Sequence, residues 1–197
     1  MPETIPPTVH IESSKIIRSE TLAAFNPLIG NTLFDNFNAG KSDRWAGVFT
    51  LMPDTHGGDL GALLGWLALV GKTESFFAFD PSHQTPKLGI VNGLLIDGAA
   101  QQGRSLAVKG GPVSTSNVLM SGDYVQVGTQ YFRLTRDLDT DIAGKGTLSV
   151  WPAIRTSPAA DAPVITDHPK IVARITSPIP EETTVYTRIT FSWEEFI

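Results

Sequence analysis

Two short segments come nearest to chemistry in residue type and spacing. Asp137-Leu138-Asp139-Thr140-Asp141 sets carboxylates at alternate positions, as a calcium loop does to converge oxygen ligands on a hard cation. Such a loop needs glycine at its sixth position for the sharp turn and a bidentate glutamate at its twelfth. Here those positions hold Ile142 and Leu148, so the pattern predicts a solvated hairpin rather than a metal site. Ala39-Gly40-Lys41-Ser42 matches the end of a phosphate-binding loop. The first glycine of that motif would fall at Asp35, whose carboxylate repels phosphate. The segment also runs into an expected strand, not a helix whose N-terminus could hold the anion.

The remaining candidates are weaker. Glu181-Glu182 and Glu194-Glu195 are paired carboxylates, but neighbours on a strand point to opposite faces, so neither pair alone can act as acid and base on one substrate. His10, His56, His83 and His168 are far apart, with no His-x-His or His-x-x-x-His spacing that would place two ligands on one element. No Gly-x-Ser-x-Gly elbow presents a serine nucleophile. Trp45, Trp66, Trp151 and Trp193 would form a sugar-stacking platform if exposed. Three of them sit in apolar-alternating strands or a helix, where core packing is expected. No catalytic, cofactor-binding or metal-ligating residue is therefore assigned, no cofactor is expected, and the chain reads as a non-enzyme.

Composition narrows the class further. Cysteine is absent, which removes disulfides, thiolate metal sites and cysteine nucleophiles and suits maturation in a reducing cytoplasm. Lysine and arginine are scattered singly, as at Lys41, Arg44, Lys87, Arg104 and Lys109, and the formal net charge is −5. No basic track exists along which phosphates could shed counterions, so no nucleic-acid partner is expected. The N-terminal Met-Pro-Glu-Thr-Ile-Pro-Pro lacks the basic and apolar regions of a secretory signal. The longest apolar stretch, Leu60–Val70, falls well short of the roughly 20 residues that cross a bilayer, so no membrane insertion is expected.

The elements that would position any site are mostly strands. Eighteen glycines and 14 prolines punctuate the chain at the spacing of short strands and turns, which predicts a mainly β fold. The first twenty residues, with Val9–Glu12 alternating and Lys15–Arg18 following, suggest an extended arm or edge strand with few core contacts. Residues 26–44 read as a long polar loop, then Arg44–Leu51 as a strand. One helix is expected from Leu60, Leu63, Leu64, Leu67 and Val70 at three- and four-residue spacing. Asp59 is placed to cap its start and Gly71 its end. Its Leu63, Leu64 and Leu67 should pack on a sheet containing Trp45 and Phe77. Ser75–Pro81, Gly89–Gly98, Ser105–Lys109, Asp123–Val127, Tyr131–Leu134, Thr147–Trp151, Ile171–Ile175 and Val185–Phe191 read as further strands, with tight turns at Gly128 and at Ala143–Gly146. A composition shift and proline-rich joints predict a discontinuous domain, residues 1–85 with 164–197, interrupted by an inserted small β-barrel or β-sandwich at 86–163.

The order of these elements resembles a known family. Trp45 in a strand, the glycine-terminated helix and Phe76-Phe77-Ala78-Phe79-Asp80-Pro81 are followed by Gly89-Ile90-Val91, Ala99–Leu106, Ser121–Gly128, Gly146–Arg155 with Ser157-Pro158-Ala159-Ala160, and an ending at Arg188–Ile197. This run, over most of residues 44–197, is similar to distal-tail and baseplate proteins of long-tailed bacteriophages and prophages. The resemblance implies a tube-like β-sandwich or split-barrel domain that forms a ring, with an accessory β domain outside it. It implies a homo-oligomer, usually a hexamer, that joins the tail tube protein to the hub, tip and tape measure proteins. It places the chain in the virion tail tip after synthesis in the host bacterial cytoplasm, and the family offers no catalytic residues to carry over. The alternatives are a carbohydrate-binding host-recognition module and, behind it, a cell-wall hydrolase.

Overall fold

A computed structural model describes residues 2–6, 9–19, 24–25, 33–34, 44–53, 58–71, 74–177 and 189–196. In chain order its elements are β1 (Val9–Ser19), β2 (Ala24–Phe25), β3 (Leu33–Phe34), β4 (Arg44–Pro53), α1 (Gly58–Val70), β5 (Phe76–Ala78), β6 (Leu95–Ile96), β7 (Gly103–Lys109), β8 (Tyr124–Val127), β9 (Gln130–Leu134), β10 (Gly146–Ile154), β11 (Val164–Ile165), β12 (Ile171–Ile175) and β13 (Ile189–Glu195). Among the described residues thirteen strands stand against one short helix, so the fold is mainly β.

The first sheet has the order β1-β4-β13-β12-β5, all antiparallel. Its strands obey the two-residue period: Trp45, Phe49 and Leu51 of β4, Ile189, Phe191 and Trp193 of β13, and Ile171, Ala173 and Ile175 of β12 are buried on one face. Helix α1 lies on that face through Leu63, Trp66, Leu67 and Val70, with the Trp66 ring edge-on to Phe76 at 5.5 Å. Gly71 ends the helix at φ +47°, its N–H donating to Leu67 O, a conformation that costs glycine no Cβ clash. Two expectations shift. Leu64 is only partly buried while Trp66 carries the contact, and Phe76, not Phe77, faces the helix. Phe77 lies on the opposite face with Lys170 Nζ 5.5 Å over its ring. The side chain of Asp59 lies outside the described residues.

Of the two expectations for the N-terminal segment, edge strand and loose arm, β1 is the edge strand. β1 forms a ladder with β4 from Val9↔Pro53 to Ser19↔Arg44, interrupted by one irregularity near Ile11. Ahead of it, Glu3 N–H donates to Ser75 O and Phe77 N–H to Glu3 O, so the start of the chain covers the far edge at β5, and Ile5 is buried in the core. These long-range ladder bonds, invisible in composition, supply the order that the sparse apolar content did not suggest. β2 and β3 pair as a separate two-stranded sheet.

The second sheet runs β11-β8-β9-β10-β7-β6 and curls into a nearly closed barrel. Closure is made by Ile96 N–H to Ala162 O, Asp161 N–H to Ile96 O and Val164 N–H to Leu94 O. Its interior is filled by Leu106, Val108, Val125, Val127, Phe132, Leu148 and Val150, among others. The β8–β9 hairpin turns on Gly128 at φ +61° between the paired Val127 and Gln130, the position where a type II′ turn requires glycine. Gly144 takes φ +69° in the second turn. Gly146 needs no positive φ, but a Cβ there would collide with the Asp139 carbonyl. Of the expected strand at Gly89–Gly98, only Leu95–Ile96 pairs.

Candidate functional site

The aspartate run is a turn-building device. Asp137 Oδ1 accepts Ser121 N–H at 2.6 Å and Asp139 Oδ1 accepts Asn117 N–H at 2.8 Å. Asp141 Oδ1 accepts Ala143 N–H at 2.8 Å and Lys145 N–H at 2.9 Å. Those two donors hold the Asp141 carboxyl below its usual range. Asp137 and Asp139 are thus committed to the loop at 117–121 and Asp141 to its own turn. Among the described residues no three His, Cys, Asp or Glu side chains group as metal ligands. The phosphate-loop segment at 35–42, the pair Glu181-Glu182, and the side chains of His10 and His56 lie outside the described residues.

One constellation went unnoticed in the sequence. Just after β5, Asp80-Pro81-Ser82-His83 brings a hydroxyl, an imidazole and a buried carboxylate together. Ser82 Oγ donates to Asp80 Oδ1 at 2.5 Å, and His83 Nδ1 lies 3.0 Å from Asp80 Oδ2 and 3.1 Å from Ser82 Oγ. A nucleophile relay needs the carboxylate on one ring nitrogen and the serine on the other. Here both meet Nδ1, and the hydroxyl proton is already given to Asp80. The cluster works as a turn clamp that also sets the His83 ring edge-on to Tyr124 at 5.6 Å. His168 is likewise bonded to its neighbour Asp167, at 2.5 Å.

The most heavily built region is the junction between the sheets. Tyr131 of β9 and Trp151 of β10 point out of the barrel and join the core of the first sheet. The Trp45 ring lies edge-on to both, at 5.5 and 4.6 Å, and its Nε1–H donates to Tyr131 O at 3.0 Å. Tyr124 stacks on Tyr131 at 5.1 Å. Burial raises both phenol pKa values, that of Tyr131 the more strongly.

Beneath the aromatics, Arg155, following β10, pairs with Glu195 of β13, both side chains almost wholly buried. Glu195 Oε2 also accepts Trp45 N–H at 3.2 Å. Burial pushes the Glu195 carboxyl up, opposed by the Arg155 guanidinium and the Trp45 N–H. Its neighbour Glu194 faces outward to Arg44 at 3.7 Å, the opposite-face geometry that alternation requires. Gln130 completes the seam: its Oε1 accepts Arg155 N–H and Thr156 N–H, and its Nε2–H donates to Thr156 O.

The four tryptophans are 1% to 6% exposed, so they present no sugar-stacking platform. An open groove of about 360 Å³ does border the junction, lined by Trp45, Ser121, Tyr124, Arg133, Leu134, Thr135 and Trp151. The arrangement can bind and stiffen, and no step of covalent chemistry is derived from it. Compared with known proteins, the chain matches no family model, and no curated protein shows significant similarity to it.

Proposed function

We propose that this chain is a non-enzymatic structural subunit of the phage tail tip or baseplate, of the distal-tail type. In this reading it forms a homo-oligomeric ring, of six copies, that joins the tail tube protein to the hub and tip proteins around the tape measure protein. The observation that carries the reading is the division of labour between the sheets. The first sheet takes β1, β4 and β5 from the front of the chain and β12 and β13 from its end, while the barrel is drawn from the stretch between. This agrees with a ring-forming domain interrupted by an accessory β domain. Because β11 pairs with β8, we set the end of the accessory domain after Ile165 rather than before Val164.

Mechanical logic supports the same reading. A ring subunit meets identical neighbours through two different patches, and such heterologous contacts close only if each subunit holds its angle. A seam of interlocked aromatics and a buried ion pair gives that rigidity at the joint between the two sheets. The proposal is tested by adding an affinity-tagged copy during phage growth and counting it in purified tails by quantitative mass spectrometry. Several copies per tail, in a fixed ratio to the tube protein, are expected. A single copy, or none, refutes the ring.

A further inference from the structure

The geometry points to a ligand site on the outer wall of the barrel, for a phosphate- or carboxylate-bearing molecule of monosaccharide size. Strand register creates it. Arg133 of β9 pairs with Tyr124 of β8 on one side and with Trp151 of β10 on the other, so three adjacent strands present one row with a guanidinium between two aromatic side chains. Arg133 is exposed and lines the groove that this row shares with Trp45, Ser121 and Thr135. Its Cζ lies 6.0 Å from the centre of the Tyr124 ring. No carboxylate pairs with it among the described residues.

A second cation lies beside Ser121, one of the residues that line the groove. Lys87 Nζ donates to Ser121 O at 2.6 Å. The point that a Cβ on Gly122 would occupy is 3.2 Å from Lys87 Nζ and 3.7 Å from an Arg133 Nη. Two cations so close repel one another, and an anion between them relieves that repulsion. Glycine at 122, at φ +93°, leaves the gap open. The acidic groups nearby accept backbone or side-chain donors and form no ion pair with either cation. Asp123, buried, accepts Lys87 N–H and Met120 N–H, Asp137 accepts Ser121 N–H, and Asp80 holds Ser82 and His83. The guanidinium is suited to gripping a phosphate or carboxylate with two parallel N–H groups. The half-buried Tyr124 face and the groove volume leave room for a ring behind the anion. The site stands on this geometry alone and holds whether or not the chain forms rings.

The test titrates the purified full chain with glucose 6-phosphate, glucuronate, inorganic phosphate and glucose, followed by amide NMR shifts. At least one of the two anionic sugars should bind and move Ser121, Tyr124 and Arg133. Which one does so separates a phosphate source from a uronate source. Arg133→Gln and Lys87→Gln should each weaken binding about tenfold or more without changing the melting temperature, since both side chains are exposed. Arg136→Gln, an exposed cation three residues along, should leave binding intact. The site is refuted if glucose binds as well as the anionic sugars, if inorganic phosphate binds as tightly as either, if neither anionic sugar binds, or if Arg136→Gln weakens binding as much as Arg133→Gln.

Discussion

Glu195→Ala should be among the most damaging substitutions in this protein, although Glu194→Ala, one residue earlier on the same strand, should be nearly silent. The Glu195 side chain is 2% exposed and that of its partner Arg155 8%. Removing the carboxylate takes from the buried Arg155 guanidinium its acidic partner and leaves the Trp45 N–H without its acceptor. Breaking a buried pair from one side costs about 3–5 kcal/mol, and an orphaned buried N–H contributes about 1–3 kcal/mol within that loss. The Arg44–Glu194 pair, at 3.7 Å with side chains 43% and 39% exposed, is screened by solvent and is worth below about 1 kcal/mol. Urea unfolding with linear extrapolation measures both. A double-mutant cycle adds the sharper result: Glu195→Leu with Arg155→Met should recover the part of the loss that comes from the buried charge, leaving only that of the Trp45 N–H. Equal, small effects at 194 and 195, or a cycle in which the two buried replacements simply add, would show that the pair does not tie the sheets together.

Three further outcomes follow from the packing. Leu67→Ala should cost about 2–5 kcal/mol and Leu64→Ala clearly less in the same assay, because Leu67 is fully buried against the first sheet and Leu64 only partly; equal costs would reverse the assigned helix face. Deleting residues 2–19 removes the β1 ladder and buried Ile5, and should lower the melting temperature by roughly 5–15 °C. An unchanged melting temperature would make the segment a dispensable arm. The Asp141 carboxyl should titrate below an ordinary aspartate by carboxyl-detected NMR, because Lys145 and Ala143 N–H groups stabilise its ionised form. Its contribution to stability relative to Asp141→Asn is therefore complete above the unfolded pKa of about 3.9 and is lost as pH falls through the lower native value; a normal titration would deny the capping role.

How much could be read in advance depended on range. The alternation in β4 and β13, the helix stripe and the Gly128 turn are local patterns, and all gave the right element. Phe76-Phe77 was misoriented because consecutive aromatics carry no period to say which one faces inward. The N-terminal segment was underestimated because its order comes from a ladder to β4, more than twenty residues away. Neither the Arg155–Glu195 pair nor the Tyr124–Arg133–Trp151 row has any signature in spacing. Each exists only after strand register is set. The clamp at Asp80, Ser82 and His83 was missed, and its one local signal is the Asx-type turn that Asp80 makes with Ser82.

The central claim is assembly, and electron microscopy of the purified protein with symmetry classification tests it most directly. Closed rings of identical subunits, six to a ring, with the barrels projecting from a continuous inner wall, are the predicted result. A population of monomers with no closed rings across the soluble concentration range would contradict it.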